Sequence, residues 1–277
     1  MRLTTKGRIN KIGKIVTPYL GRMAACRHVA SVIDLTSAYL NFILGKGAGT
    51  GWDKGEELAA SKFINTPEPV ILDIGANYGE WTQEMRRLIG ERGLWILVEP
   101  ASKCCERLRT FKSVEVLQVA VGEKVGTAQL YSPNDGSVLG SLYFRQDTFI
   151  RGQKLEAYEV AVVTIDEILD ERRIKVVDFA KMDLEGHELF ALRGAEQSLR
   201  THRIRALSFE FGSSNVNSRT YFRDFWDLLT KHNYRIERIC PGGKTIPVME
   251  YYEDLEYFMG ATNYIAVANT VPKFEGE

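Results

Sequence analysis

The sequence predicts an α/β fold with a mostly parallel sheet, preceded by a helical extension. From residue 69 onward, short apolar runs alternate with segments of helical periodicity, beginning with Val70–Ile74 and Gly79–Leu88. Repeated strand–helix units of this kind form parallel sheets that helices cover on both faces. The last two apolar runs, Arg235–Ile239 and Tyr264–Ala268, have no helix between them, which predicts an antiparallel hairpin at one edge.

The elements between these ends follow the same alternation. Further strands are expected at Leu94–Val98, Val114–Val121, Val176–Leu184 and Ala206–Phe211, which makes seven in all. Helices are expected at Ala101–Phe111, His187–Leu199 and Thr220–His232. The segment 123–164 is longer than a plain crossover, so we interpret it as an insertion. Its aromatic and polar side chains suit either the wall of a sugar-binding pocket or a small packed hairpin.

Residues 1–44 differ from the remainder in charge. The whole chain of 277 residues has 36 basic and 36 acidic side chains, but this segment has a single acid, Asp34. Its basic residues are Arg2, Lys6, Arg8, Lys11, Lys14, Arg22 and Arg27. Apolar residues at three-to-four spacing between Val29 and Ile43 predict an amphipathic helix. We therefore divide the chain into a basic helical extension with a flexible glycine-rich joint (1–50) and an α/β domain (51–277).

Composition excludes several classes of protein. A chain with 44% hydrophobic and 26% charged residues is globular rather than disordered. Zero net charge disfavours a nucleic-acid binder, and no apolar run is long enough for a transmembrane helix. Four cysteines without a C-x-x-C pair, together with the lack of a secretory signal pattern, predict a reduced cytoplasmic protein. The basic extension instead suits an anionic membrane surface, a cap on the domain or a homodimer contact.

A loop with the sequence Asp73-Ile-Gly75-Ala-Asn77-Tyr-Gly79 follows the first strand. Gly75 permits a tight turn, and Gly79 lets the next helix start close to the strand. Glu99 ends the second strand, where a carboxylate accepts hydrogen bonds from ribose hydroxyls. The order G-x-G-x-x-G of dinucleotide sites is absent, because Asn77 replaces the second glycine. S-Adenosylmethionine fits better, since it has no phosphate and Asp73 suits its ammonium group.

Four segments then carry a resemblance to a known family. They are the loop 73–79, Glu99-Pro100, Val119-Ala120-Val-Gly122 and Lys181-Met-Asp183-Leu-Glu185-Gly-His187-Glu188. Together they resemble the FkbM family of S-adenosylmethionine-dependent methyltransferases over roughly residues 55–270. The resemblance implies a class I Rossmann-like, doubly wound fold and O-methylation of a sugar or polyketide hydroxyl. It also implies a cofactor site, for which the expected residues are Asp73, Gly75, Ala76, Asn77, Gly79, Glu99, Ala120 and Asp183.

The candidates for catalysis follow the fourth strand. Methyl transfer to an alcohol requires an aligned oxygen and removal of its proton. We expect Asp183 at the transfer centre, Glu185 on substrate hydroxyls, and His187 as the base because its ordinary pKa lies near working pH. A structural role at the start of the helix is an equal alternative for His187, and favourable charge at the helix N-terminus is the simpler alternative for Glu185. We assign Lys181 no role because it is expected to face away from Asp183.

These inferences predict an S-adenosylmethionine-dependent O-methyltransferase acting on a sugar, glycolipid or related natural product. An inactive, methyltransferase-like peripheral membrane adaptor is the alternative. An RNA methyltransferase is less expected, because the catalytic part lacks a basic aromatic stripe. No metal is expected, although Asp183, Glu185, His187 and Glu210 offer ligand types that suit a hard cation.

Overall fold

The computed structural model describes residue 16 and residues 18–49, 54–137, 139–145 and 151–270. Its strands are β1 (Val70–Ile74), β2 (Leu94–Val98), β3 (Glu115–Leu117), β4 (Ala120–Val121), β5 (Gly126–Ser132), β6 (Glu156–Val163), β7 (Phe179–Met182), β8 (Ala206–Phe211), β9 (Tyr234–Ile239), β10 (Thr245–Val248) and β11 (Thr262–Ala268). Its helices are α1 (Arg27–Ile43), α2 (Gly55–Ser61), α3 (Glu80–Ile89), α4 (Ser102–Leu108), α5 (Ile165–Glu171), α6 (Glu188–Arg193), α7 (Glu196–Arg200), α8 (Asn215–Ser218) and α9 (Phe222–Lys231).

The main sheet has eight strands in the order β10-β9-β11-β8-β7-β1-β2-β3. The strands β3, β2, β1, β7 and β8 are parallel, and β11 runs antiparallel to both β8 and β9. This confirms the doubly wound, mostly parallel α/β fold with an antiparallel end. The predicted antiparallel pairing of the last two strands is confirmed, since β9 and β11 are direct neighbours. Their place at the edge is corrected, because β10 lies outside β9 and β11 lies between β8 and β9.

Two strand predictions were wrong in detail. The eighth strand, β10, was missed; it has four residues, contains Pro247 and pairs only with β9, as suits an edge position. The predicted strand Val114–Val121 is two strands, because the chain leaves the main sheet after β3 and β4 joins a second sheet. The helix predicted at His187–Leu199 also divides into α6 and α7, at Gly194, whose Cα lies against the carbonyl of Gly122.

The second sheet is formed by the segment 123–164 together with β4, in the order β4-β6-β5. Strands β5 and β6 make an antiparallel hairpin, and β4 pairs with β6 in parallel. Leu130 of β5 packs with Ala101 and Cys104, so the hairpin is anchored on the start of α4. The insertion is therefore a packed hairpin whose place in the fold is fixed by this small apolar cluster.

Apolar side chains cover both faces of the main sheet. On β1, Leu72 and Ile74 belong to one buried cluster, whereas Ile71 belongs to another on the opposite face. Alternation of this kind is expected for a strand buried on both sides. Asp73 lies on the same face as Ile71, so this buried layer contains a carboxylate as well as apolar side chains.

The extension is helical as predicted, but the glycine-rich joint after it is packed against the main sheet. Helix α1 has no buried residue. The backbone N–H groups of Gly47 and Gly49 donate to Thr262 Oγ1 (2.9 Å) and Ala261 O (2.8 Å). A Cβ on Gly45 would lie 2.0 Å from Ile239 O. The glycines therefore let the chain pack closely on the ends of β9 and β11, which corrects the flexible joint. Among the described helices, none is both long and apolar enough to cross a membrane.

Candidate active site

A cavity of about 320 Å³ opens where β1, β2 and β7 end. Parallel strands present their carboxyl ends at one edge, where ligands bind in open α/β sheets. One wall comes from the second sheet through Leu130, Ser132 and Tyr158. The opposite wall comes from α2 and from the end of β9. The insertion is therefore both a hairpin and a pocket wall, so its two expected roles are not exclusive.

The loop after β1 places backbone against this cavity. The N–H groups of Gly75 and Ala76 both donate to Val98 O, at 2.9 and 3.1 Å, which ties the loop to β2. Gly75 has φ 78°, and a Cβ there would lie 1.9 Å from Asp183 O. Only glycine permits both the left-handed backbone and this close approach. Gly75, Ala76 and Asn77 line the cavity, and their contact with the cofactor stays a prediction.

Gly79 lies outside the cavity lining. It has φ 80°, and a Cβ there would lie 2.5 Å from the ring of Phe111. The residue lets α3 start close to Leu108 and Phe111, whereas close packing of the helix on the strand was expected. Because Gly79 does not line the cavity, its contact with the cofactor stays a prediction that this placement does not favour.

Glu99 faces the cavity from the end of β2. Its two carboxylate oxygens accept hydrogen bonds from Asn77 N and Ala101 N, each at 2.9 Å. Burial raises the pKa of Glu99 above its ordinary value, while these two amides lower it. The carboxylate is therefore fixed in orientation and joins the loop after β1 to the turn after β2. Ala120 lines the same cavity, from the start of the second sheet.

Asp73 lies one layer behind this loop. Its side chain is fully buried, Oδ2 accepts a hydrogen bond from Thr82 Oγ1 (2.5 Å), and Oδ1 is 3.5 Å from Lys181 Nζ. Asp73 does not line the cavity, so direct contact with an ammonium group stays a prediction that this placement does not favour. The carboxylate instead anchors α3 and the lysine.

Lys181 is a correction to the sequence analysis. It was expected to face away from Asp183, but Nζ lies 3.5 Å from Asp183 Oδ2 and donates to Gly75 O at 2.9 Å. Residues two apart on a strand point to the same face, which the alternation predicts. Although burial lowers the pKa of Lys181, the carboxylates of Asp183 and Asp73 raise it above its ordinary value. The lysine is therefore a buried cation behind the loop.

Asp183 and Glu185 follow β7 and line the cavity together. The Asp183 side chain is 46% exposed, which leaves its carboxylate accessible to a ligand. Glu185 has φ 49° and forms an ion pair with the buried Arg145. Glu188 holds this turn, because Oε1 accepts from Leu184 N (2.7 Å) and Gly186 N (3.2 Å). The sequence prediction thus placed both acids correctly, and the structure adds the groups that orient them.

His187 also lines the cavity, but its chemistry differs from the expectation. Its Nδ1 is 2.8 Å from the Tyr143 hydroxyl, and its ring stacks on Phe190 at 4.9 Å between centroids. Burial lowers the pKa of His187 to about 4. The reason given for choosing it as the base, a pKa near working pH, is therefore wrong. Its role as a base stays a prediction with weaker support.

Several cavity residues come from parts of the chain that sequence reasoning did not select. Glu56 on α2 accepts hydrogen bonds from Ser208 Oγ (2.6 Å) and Asn263 Nδ2 (3.0 Å). Glu56 and Asn263 lie at opposite ends of the sequence and both line the cavity. No local motif marks either residue, since only the sheet order brings them together.

The cation alternative receives no support from the described residues. Within them, no three His, Cys, Asp or Glu side chains are grouped so that they hold a metal ion. Glu210, one of the four proposed ligands, is not part of the cavity lining. Burial and the nearby carboxylates of Asp183 and Glu185 raise its pKa well above the ordinary value.

The family model described as "Methyltransferase FkbM domain" matches residues 73–236, which is more than half of the chain. The chain belongs to the FkbM family. FkbM proteins are S-adenosylmethionine-dependent methyltransferases, and S-adenosylmethionine is the cofactor of this chain. The matched range includes the loop after β1, Glu99 and the segment from Lys181 to Glu188, and it excludes Glu56 and Asn263.

Comparison with solved structures gives distant similarity to methyltransferases. The FkbM methyltransferase from Methylobacillus flagellatus KT is 17% identical, with a TM-score of 0.47, over 74% of this chain and 45% of that chain. The plantazolicin methyltransferase BpumL in complex with SAH is 10% identical (TM-score 0.43; 78% and 82% covered). Fibrillarin from Aeropyrum pernix with bound S-adenosyl-L-methionine is 15% identical (TM-score 0.39; 76% and 74%). No curated protein matches the chain.

Proposed function

We propose that this FkbM protein transfers a methyl group from S-adenosylmethionine to a hydroxyl of a sugar, glycolipid or related natural product. One observation carries the proposal: the same cavity contains the loop Gly75–Asn77, Glu99 and the carboxylates of Asp183 and Glu185. A cofactor seated against the loop would therefore present its methyl group beside groups that bind and orient a hydroxyl.

The cofactor half of the cavity suits adenosylmethionine. Gly75 lets the loop backbone pack against the Asp183 carbonyl, where a Cβ would clash, and Glu99 is held as an acceptor facing the cavity. We assign the methionine part to the loop Gly75–Asn77 and the ribose hydroxyls to Glu99, with Ala120 beside the adenosine. The bound cofactor supplies an electrophilic methyl group on a sulfonium.

The acceptor half is polar and acid-rich. Asp183, Glu185 and Ser141 line it, and carboxylates and hydroxyls of this kind hydrogen-bond the hydroxyl groups of sugars. We assign Asp183 to the positioning of the reacting oxygen, because its carboxylate is accessible and lies next to the loop. Glu185, held by Arg145, would bind a neighbouring hydroxyl of the acceptor.

Calorimetry tests the cofactor first, and labelled methyl transfer then tests the acceptor. We expect micromolar to submillimolar binding of S-adenosylmethionine and S-adenosylhomocysteine, and transfer of labelled methyl to an oxygen in a panel of glycans, glycolipids and hydroxylated natural products. Asp183→Asn should lower transfer. Absence of binding at millimolar cofactor refutes the enzyme, and transfer exclusively to nitrogen or sulfur refutes the hydroxyl acceptor.

A peripheral membrane role for the extension, with or without catalysis, is the second candidate. On α1, Val32 (64% exposed), Leu40 (56%) and the side chains of Ile33, Tyr39 and Ile43 form a stripe that no described residue covers. Apolar stripes beside basic residues bind anionic lipid surfaces. A homodimer would cover the same stripe, but it would bring two basic extensions together.

Sedimentation with phosphatidylserine-containing vesicles distinguishes these outcomes. We expect the full chain to pellet with the vesicles and the variant Val32→Asn/Leu40→Asn to remain in the supernatant. The matched control is Ala30→Asn/Ala38→Asn on the opposite face of the helix. Equal pelleting of both variants rejects the membrane role. A dimer in analytical ultracentrifugation that the first variant abolishes would favour the homodimer contact.

A further inference from the structure

Glu56 approaches the cavity from helix α2, before the residues that the family model matches. The helix is fixed against the turn between β9 and β10: Lys62 Nζ donates to Gly243 O, and a Cβ on Gly243 would lie 2.4 Å from Leu58. Glu56 is partly buried, and both of its carboxylate oxygens are hydrogen-bonded. Its position is therefore set by packing of the backbone around it.

The sheet order places Glu56 on the acceptor side of Asp183. Asp73 on β1, Lys181 on β7 and Ser208 on β8 are direct neighbours across three strands. Adjacent strands are about 4.8 Å apart, so Ser208 lies roughly 10 Å from the strand that ends in the cofactor loop. Glu56 bonds Ser208 on β8 and Asn263 on β11. It therefore lies beyond Asp183 as seen from the cofactor half.

The surroundings of Glu56 leave its proton exchangeable near neutral pH. Burial raises the pKa of Glu56 to about 7, and the carboxylates of Asp183 and Glu57 also raise it, although Lys181 and the Ser208 hydrogen bond lower it. A general base works best with a pKa near the working pH. The acids after β7 are engaged differently: Asp183 is paired with Lys181, Glu185 is ion-paired to Arg145, and Glu188 is fully buried and outside the cavity lining.

We infer that Glu56 is the general base of methyl transfer, and this inference rests on the proposed function. The oxygen of the acceptor forms a bond to the methyl carbon as the bond from that carbon to sulfur breaks. The electron pair of the broken bond stays on sulfur and gives S-adenosylhomocysteine. The proton of the hydroxyl moves to the Glu56 carboxylate and is then released to solvent.

A purely structural role for Glu56 makes a different prediction. Glu56→Gln is nearly isosteric, since its amide can donate to Ser208 Oγ and its carbonyl can accept from Asn263 Nδ2. A residue that merely ties α2 to the sheet would tolerate this change. A base would not, because an amide does not accept the proton of an alcohol.

The first experiment measures the titration without an acceptor. In protein labelled with [δ-¹³C]glutamate, we expect a carboxyl resonance that titrates near pH 7 and is absent from Glu56→Gln. The matched control is Glu68→Gln, on an exposed residue before β1. If no resonance that titrates between pH 6 and 8 is lost in Glu56→Gln, the inference is wrong.

The second experiment measures methyl transfer against pH, with an acceptor identified from the hydroxyl panel. We expect wild-type turnover to rise with pH and to level off at or somewhat below pH 7, because the bound sulfonium favours the carboxylate. In Glu56→Gln, turnover should fall about 100- to 10,000-fold and the acid limb of the pH–rate profile should disappear. Its cofactor affinity should stay within twofold of wild type. Ser208→Ala should move the acid limb to higher pH, because it removes a hydrogen bond to the carboxylate.

The outcomes separate the two proposals. Full turnover or an unchanged pH profile in Glu56→Gln overturns the role of Glu56 and leaves the methyltransferase intact. If the acid limb of the pH–rate profile does not move in Ser208→Ala, the role of Glu56 as the base is also contradicted. If the wild type methylates no hydroxyl in the panel, the proposed function fails and the inference fails with it.

Discussion

Replacement of Glu99 by alanine tests the cofactor half of the cavity. In the structure both carboxylate oxygens face backbone N–H groups of the two turns that border the cavity. Ribose hydroxyls would donate to the lone pairs that these amides leave free. A hydrogen bond to a charged group contributes about 1.5–3 kcal/mol, and about 1.4 kcal/mol corresponds to a tenfold change in Kd. We therefore expect Glu99→Ala to bind S-adenosylhomocysteine roughly 10- to 150-fold more weakly.

Loss of affinity alone would not distinguish a ribose contact from a disturbed loop, because Asn77 N and Ala101 N also lose their acceptor. The assay is therefore calorimetry with two ligands, S-adenosylhomocysteine and its analogue without the ribose 2′-hydroxyl. The wild type should prefer the hydroxylated ligand by about tenfold or more, and Glu99→Ala should bind both almost equally. An undiminished preference in the variant would refute the ribose contact, whatever the absolute affinities.

Two further predictions concern the segment after β7. Burial lowers the pKa of His187 to about 4, so the residue is neutral at working pH. We therefore expect His187→Ala to lower turnover without changing the cofactor Kd or the shape of the pH–rate profile. Loss of the acid limb of that profile would instead restore His187 as the base. Burial raises the pKa of Glu188 from 4.5 to about 8, so its stabilising contribution is complete below pH 4.5 and is lost as pH rises through about 8. In urea unfolding, Glu188→Gln should therefore have the same free energy of unfolding as the wild type at pH 5 and a higher one at pH 9, by at most about 5 kcal/mol. Equal unfolding curves for the two proteins at both pH values would contradict the buried carboxylate.

Sequence reasoning succeeded where the relevant residues are neighbours along the chain. The loop from Asp73 to Gly79 and the segment from Lys181 to Glu188 were both placed at the ends of predicted strands, and the structure puts them there. Local backbone demands explain this success, since a positive φ at Gly75 and a close carbonyl leave few residue choices. The parallel part of the sheet was predictable for the same reason, because each strand and helix has its own periodicity.

Electrostatic properties were less predictable than positions. His187 was located correctly in the cavity wall, but its pKa depends on burial beside Phe190 and Tyr143, which no local pattern reveals. Lys181 was misjudged, although alternation along the strand already places it on the face of Asp183. The charges that act on a group come from every element around it, so they follow from packing.

By itself, the sequence determined the α/β class, the family, the cofactor and the position of the acids after β7, because these depend on periodicity and short motifs. The tertiary structure alone decided that β11 lies between β8 and β9, and that the glycines before α2 pack on those strands. These two facts bring Glu56 and Asn263 to one wall of the cavity although 207 positions separate them in the chain. Contacts over such distances depend on strand order, which local periodicity does not encode.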